Sequence, residues 1–154
     1  MMNGREEKIY NDLFYTCSLI EYISRRTHNS PSLIVEKIGR DNISKILSLA
    51  EVYHSDNIEA VADTFIDECR ISEGTFDNVG ECKYSVPTHW DIGKVYKRLV
   101  KAVSESEHID LVTALINVYS SGMVALIEDY NSSFYYDNPN LIFETYKNDC
   151  IPVD

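Results

Sequence analysis

Apolar residues recur at three- and four-residue spacing along most of this 154-residue chain, and that spacing predicts α-helices. The first predicted helix, residues 9–23, is apolar around much of its circumference, which is typical of a central helix with neighbours on several sides. Amphipathic patterns follow at residues 43–53 and 58–69. In the second half of the chain, further helices are predicted at residues 88–103, 109–119, 123–130 and 139–147. We therefore expect an all-α fold.

Local start and stop signals support these helices. Ser30 followed by Pro31 predicts an N-cap and a first helical position, and Gly39 predicts the end of that short helix. Capping residues predict three later helix starts, at Asp56 with Glu59, at Thr88 with Asp91, and at Asn138 with Pro139.

Residues 71–87 interrupt the helical pattern and contain Gly74, Gly80 and Pro87. Because a connection of this length is unusual in a compact domain, we expect either a short hairpin or a functional loop here. The chain is otherwise interpreted as one domain, residues 1–154, forming a bundle of about six to eight helices.

Charge is distributed unevenly, and the net charge is -11. Residues 46–82 and 102–154 each hold nine acids and one base, whereas residues 83–101 hold five bases and one acid. Repulsion from the whole chain argues against a nucleic-acid partner. No apolar run has the roughly 18 residues of a membrane span, and the N-terminus lacks a signal-peptide core, so we expect a cytoplasmic protein without a membrane partner.

A basic stripe lies in the predicted helix at residues 88–103. Its cations have the i, i+3, i+4 and i+7 spacing of one helix face, at Lys94, Lys97, Arg98 and Lys101. The apolar positions predicted to be buried are Ile92, Tyr96, Leu99 and Val103. The stripe is either a solvated face that balances the acidic segments, or an anion site or docking face. Apolar anchors for such a face are predicted at Phe76, Tyr84 and Trp90.

Six aromatic residues lie between positions 130 and 146. They are Tyr130, Phe134, Tyr135, Tyr136, Phe143 and Tyr146. The cluster predicts either a C-terminal helix packed across the bundle or a partly exposed patch that anchors a partner or stacks a flat ligand. In the second interpretation, Tyr135 and Tyr136 are the contact residues.

Two H-x-D pairs, His54 with Asp56 and His89 with Asp91, are the candidates for catalysis or metal binding. Both are better explained by helix ends, because neither has a nearby nucleophile or a second pair at metal-ligand spacing. The four cysteines form no C-x-x-C pair and are expected to be free thiols. We therefore expect no catalytic residue, metal or cofactor, and no enzyme.

The segments "FYTCSLIEYISRRTHNSPSLIVEKI" and "ISKILSLAEVYHSDNIEAVADTFIDEC" carry a resemblance to a known family. They resemble an uncharacterised family of small bacterial helical proteins, with Glu21 and Tyr22 at its "E-Y" position and residues 53–55 at its Tyr, His and Ser positions. The match covers about residues 9–69. Genes of that family commonly lie beside ADP-ribosyltransferase-like toxins, so the resemblance implies an accessory or antitoxin-like role and implies no catalytic residue.

Two functions follow as hypotheses. The first is a non-enzymatic interaction protein, antitoxin-like, that binds a protein partner through acidic faces and aromatic anchors. The alternative is a module that binds or sequesters a small nucleotide-like anion, with the basic helix holding phosphate and the aromatic cluster stacking a base. The candidate binding residues of the two hypotheses are Lys94, Lys97, Arg98, Lys101, Trp90, Phe76, Tyr84, Tyr135 and Tyr136.

Overall fold

The computed structural model describes residues 2–150, without the side chains of residues 2, 3, 5, 6, 149 and 150. Within this range the protein is helical and contains no β-strand, which confirms the all-α expectation. The α-helices are α1 (Met2–Thr27), α2 (Pro31–Ser48), α3 (Ala50–His54), α4 (Ile58–Glu68), α5 (Asn78–Glu81), α6 (His89–Glu107), α7 (Leu111–Tyr119), α8 (Met123–Ile127) and α9 (Pro139–Thr145). A 3-10 turn (Phe134–Tyr136) precedes α9, and a π-helical turn (Tyr146–Cys150) follows it.

Helix α1 is the centre of the bundle, as its nearly continuous apolar circumference predicts. It packs against α2, α3, α4 and α6, and Leu13, Cys17 and Ile20 are fully buried. Helices α2 and α7 also pack together, and α9 covers part of α6. The buried apolar residues form one continuous core cluster. None of the described helices is long and apolar enough to cross a membrane.

A glycine lies at a close contact between α1 and α6. Gly93 of α6 is buried against Ser18 of α1, and a Cβ atom on Gly93 would lie 2.9 Å from both the Cα and the amide nitrogen of Ser18. Because real Cβ atoms are essentially never this close to backbone atoms, only glycine lets the two helices pack at this distance.

The helix ends agree with most of the capping predictions. Thr88 and Asp91 form a reciprocal capping box at α6, and Ser30 and Asn138 cap α2 and α9. Gly39 has a φ of 79° and a ψ of 163°, so α2 consists of two helical pieces that meet at a kink at Gly39, in agreement with the helix end predicted there. The N-cap of α4 lies one residue after its predicted position.

At α4 the N-cap is Asn57, not Asp56. Asn57 has extended backbone angles, and its side-chain oxygen accepts the amide hydrogen of Glu59 at 2.8 Å. An Asn and an Asp are equally good caps, so their adjacent positions could not be told apart from the sequence.

Residues 71–87 contain no strand, so the hairpin alternative is wrong. Asp77 accepts the amide hydrogen of Gly80 and caps the single turn α5. The segment is held against the end of α1, because the amide of Gly74 donates to the Thr27 carbonyl at 2.8 Å and the amide of Phe76 donates to the His28 carbonyl at 2.9 Å. Main-chain hydrogen bonds thus hold the first part of this connection against the end of α1, and further along the Lys83 amide donates to Asn131 Oδ1 at 2.7 Å.

Candidate functional site

The basic stripe on α6 does not form one outward face. Lys94 and Arg98 are exposed, whereas Lys97 and Lys101 are half-buried. The Lys101 ammonium lies 4.5 Å from the centre of the Tyr10 ring of α1, a cation–π contact. Burial lowers the pKa of Lys97, and the neighbouring charges of Arg98 and Lys101 lower it further. The expected continuous stripe is thus divided into an exposed pair and a pair turned towards α1.

The exposed pair lines a cleft of about 480 Å³ between α6 and the 3-10 turn. We call it the basic cleft, and it is bounded by residues 85–87, Asp91, Lys94, Val95, Arg98 and residues 135–139. It brings together four candidate residues of the sequence analysis, which are Lys94, Arg98, Tyr135 and Tyr136. Neither Lys94 nor Arg98 forms an ion pair with any described side chain.

Two carboxylates share the lining of the basic cleft. Asp91 is held by the capping box, where its Oδ2 accepts the amide hydrogen of Thr88 at 2.9 Å. Asp137 follows the 3-10 turn, and its amide donates to the Phe134 carbonyl. The cleft therefore contains two cations and two carboxylates, with the cations close together on one helix.

Two tyrosines whose rings are in contact line the basic cleft. The ring centres of Tyr135 and Tyr136 are 4.3 Å apart, and the edge of Tyr135 meets the Tyr130 ring at 5.8 Å. Tyr135 is buried, and this burial together with Tyr136 raises its pKa to about 12. Tyr136, in contrast, is 73% exposed. Tyr135 is therefore packed in the bundle, while Tyr136 is an exposed contact residue, so the cluster has features of both predicted alternatives.

Tyr136 also separates the basic cleft from a second cleft of about 600 Å³. We define the tyrosine surface as the lining of this second cleft, residues 84–85, 130–133 and 135–136. Tyr84 is 69% exposed, and among the described residues Tyr84 and Tyr136 are the two most exposed large hydrophobic side chains. Two separate segments of the chain thus bring two exposed tyrosines to one surface.

The other two predicted anchors lie elsewhere. Trp90 is half-buried against α1, with its ring centre 5.7 Å from that of Phe14. His89 and His54 also pack on Trp90, at 4.8 Å and 6.1 Å between ring centres. Phe76 lines a third cleft of about 490 Å³ that also borders Asn78, Glu128 and Tyr130. Phe76 thus lines a different cleft from Tyr84, although the two clefts adjoin at Tyr130 and Asn131, and the three predicted anchors do not line one common cleft.

A buried cluster of acidic and phenolic groups lies behind this third cleft, and the sequence analysis did not predict it. The Tyr130 hydroxyl lies 2.8 Å from Glu21 Oε1 and 3.1 Å from Glu128 Oε1, and Arg25 Nη2 donates to it at 2.9 Å. Both carboxyl groups are buried. The Tyr130 hydroxyl has one hydrogen, so it donates to only one of the two carboxyl groups at a time. Burial raises the pKa of Glu21 well above its ordinary value, and Glu128 adds to this effect.

Hydrogen bonds from other elements hold Glu128 in place. The Tyr96 hydroxyl of α6 donates to Glu128 Oε2 at 2.8 Å, and Asn78 of α5 donates to Glu128 Oε1 at 3.0 Å. Burial and the Glu128 carboxylate raise the pKa of Tyr96. The raised pKa of Glu21 favours its protonated form, which lowers the repulsion between the two buried carboxyl groups.

One sequence signal pointed to this cluster. Glu21 interrupts the apolar circumference of the central helix, and such a position in a buried helix requires a polar partner. The partner, Tyr130, is 109 residues away, so its identity depends on the tertiary fold.

Among the side chains that the structure describes, no three His, Cys, Asp or Glu residues are grouped so that they could hold a metal ion. Cys17, Cys69 and Cys82 are free, as expected. Comparisons with family models, with curated proteins and with solved structures give no match for this chain.

Proposed function

We propose that this protein is a non-enzymatic interaction protein that binds a basic protein partner through its tyrosine surface. The observation that carries the proposal is the pair of exposed tyrosines, Tyr84 and Tyr136, which border one cleft from two separate segments. A tyrosine offers a large contact area at a low entropic cost, and tyrosines are enriched among the residues that dominate binding energies.

The surroundings of these tyrosines resemble the organisation of known interfaces. Ser85, Ser132 and Ser133 line the same cleft and supply polar groups around the aromatic rings. Tyr135 lies beneath Tyr136 and restricts its motion, which lowers the entropy lost on binding.

The charge of the chain indicates the kind of partner. A protein with a net charge of -11 attracts basic proteins and repels acidic ones, chiefly by changing association rates. The resemblance of residues 9–69 to proteins encoded beside toxins supports an antitoxin-like role, in which the basic partner is a toxin from a neighbouring gene. This role is part of the proposal.

Co-expression with the product of each neighbouring gene tests the proposal. We expect one basic gene product to copurify with this chain and to lose its toxicity. The double variant Tyr84→Ala/Tyr136→Ala should weaken that binding roughly thirtyfold or more, the level expected for central interface residues.

Val52→Ala is the matched control, because Val52 is 63% exposed but lies on α3, which packs against α1, α2 and α4. It should leave the affinity unchanged. If no neighbouring gene product is bound or neutralised, the proposal fails. Equal losses in the control and in the tyrosine variant would also contradict it.

A further inference from the structure

The basic cleft has a charged lining that the proposed protein interaction does not use. Lys94 and Arg98 are four residues apart on α6, so their side chains leave the helix on the same side, about 5–6 Å apart at Cβ. Arg98 can donate two parallel hydrogen bonds to a phosphate group, while Lys94 supplies a point charge. Since neither cation is paired with a described carboxylate, both are free to bind one anionic group.

Aromatic rings form another part of the lining of the basic cleft. The exposed Tyr136 ring leans on the buried Tyr135 ring, with their planes 31° apart, and Tyr135 is supported in turn by Tyr130. A supported aromatic ring of this kind stacks nucleobases with little dependence on their identity. The cleft volume of about 480 Å³ lies within the range of small-molecule sites.

The two carboxylates limit the charge of the ligand. Asp91 and Asp137 line the same cleft as the two cations, so the four charged groups sum to zero. One phosphate group can lie between Lys94 and Arg98, whereas the added charge of a triphosphate would be repelled by these carboxylates. Asp137 can also accept hydrogen bonds from ligand hydroxyl or amino groups.

We propose that the basic cleft binds a nucleoside monophosphate, with the phosphate between Lys94 and Arg98 and the base stacked on Tyr136. This site adjoins the tyrosine surface, with which it shares Ser85, Tyr135 and Tyr136, and it requires no protein partner.

Calorimetric titration of the full chain tests this site with four probes: AMP, adenosine, inorganic phosphate and ATP. AMP should bind about tenfold more tightly than phosphate, because only AMP stacks on Tyr136. Adenosine should bind more weakly than AMP, and ATP should bind no more tightly than AMP. AMP binding should also weaken as salt rises, since it depends on the two cations.

Two variants separate the contribution of the two cations from that of the Tyr136 ring. Lys94→Glu/Arg98→Glu should abolish binding of both AMP and phosphate, and Tyr136→Ala should remove the advantage of AMP over phosphate while phosphate binding persists. The double variant Lys37→Glu/Lys45→Glu, which makes the same charge change at two exposed lysines of α2, should retain AMP binding. Circular dichroism and thermal melting establish that each variant is folded.

Several outcomes would overturn the proposal. One is the absence of AMP binding to the wild-type protein. Another is a loss of AMP affinity in Lys37→Glu/Lys45→Glu that equals the loss in Lys94→Glu/Arg98→Glu. Tighter binding of ATP than of AMP would show general charge attraction in place of a monophosphate site. An unchanged ratio of AMP to phosphate affinity in Tyr136→Ala would show that the base does not stack there.

Discussion

Gly93 of α6 lies directly against Ser18 of α1, and a Cβ on Gly93 would come within 2.9 Å of the Ser18 backbone. This contact lies where α1, the central helix, packs against α6, in which Lys94 directly follows Gly93 and Arg98 lies five residues further on. The position of the basic cleft therefore depends on how closely these two helices approach.

Gly93→Ala should destabilise the protein. The added methyl group forces α1 and α6 apart, and overpacking of this kind typically costs about 1–3 kcal/mol, even though alanine favours the helix. Chemical denaturation would measure the change. Gly4→Ala is the control, because Gly4 is also helical and has no atom within 4 Å of an added Cβ. A stabilised Gly93→Ala protein would show that the crossing is not tightly packed.

Glu21→Gln should stabilise the protein at neutral and higher pH. Native Glu21 has a raised pKa because it is buried beside Glu128, while in the unfolded chain its ordinary value is 4.5. The native state thus holds a proton that the unfolded state loses above about pH 4.5. Stability falls as pH rises from that value to the native pKa, by up to about 1.4 kcal/mol per pH unit. The glutamine keeps a hydrogen for Tyr130 and does not ionise.

Melting temperatures of the wild-type and Glu21→Gln proteins at several pH values test this prediction. The two should be similar near about pH 4, and the variant should become the more stable one as the pH rises. Glu36→Gln, at an exposed position of α2, gives the baseline for removing one surface carboxylate. A difference in melting temperature between the two proteins that stays constant with pH, or that shrinks as pH rises, would argue against a protonated Glu21.

Lys97→Gln should raise the stability slightly at low salt. Lys97 is half-buried, and its pKa is lowered by this burial and by the adjacent charges of Arg98, Lys101 and Lys94. Removing one of four neighbouring cations relieves repulsion, worth roughly 0.5 kcal/mol or less at a partly exposed site. The gain should shrink in about 1 M salt, where charges are screened within about 3 Å, and the part that remains should come from relief of burial. A gain that does not change with salt would show that repulsion between these cations does not contribute.

The sequence predicted local features better than features that depend on the fold. The capping box of Thr88 and Asp91 needs only residues three apart, and it was predicted correctly. The division of the basic stripe was not predicted, because helix spacing does not reveal that α1 covers Lys101. The hairpin alternative for residues 71–87 was wrong, because Asp77 caps a single helical turn in that segment.

The candidate sites show the same difference between features that are local in sequence and features that depend on the fold. Lys94, Arg98, Tyr135 and Tyr136 were all predicted as binding residues, but only the packing of α9 and the 3-10 turn on α6 places them around one cleft. The pairing of Glu21 with Tyr130 spans 109 residues and follows no local pattern.

Leu99→Ala should destabilise the protein and loosen the wall of the basic cleft. Leu99 is buried beneath that cleft, where it lines a small cavity with Tyr135 and Ile142. Removing its buried methyl groups leaves a cavity and should cost about 2–5 kcal/mol, measured by denaturation. Because the lost contacts join α6 to α9, limited proteolysis should cut the variant near residues 134–145 sooner than the wild type. Leu141→Ala is the matched control, since Leu141 is exposed on α9 and should change neither property. Equal stability of the two variants would show that α9 is not held by the side of α6 that carries Leu99.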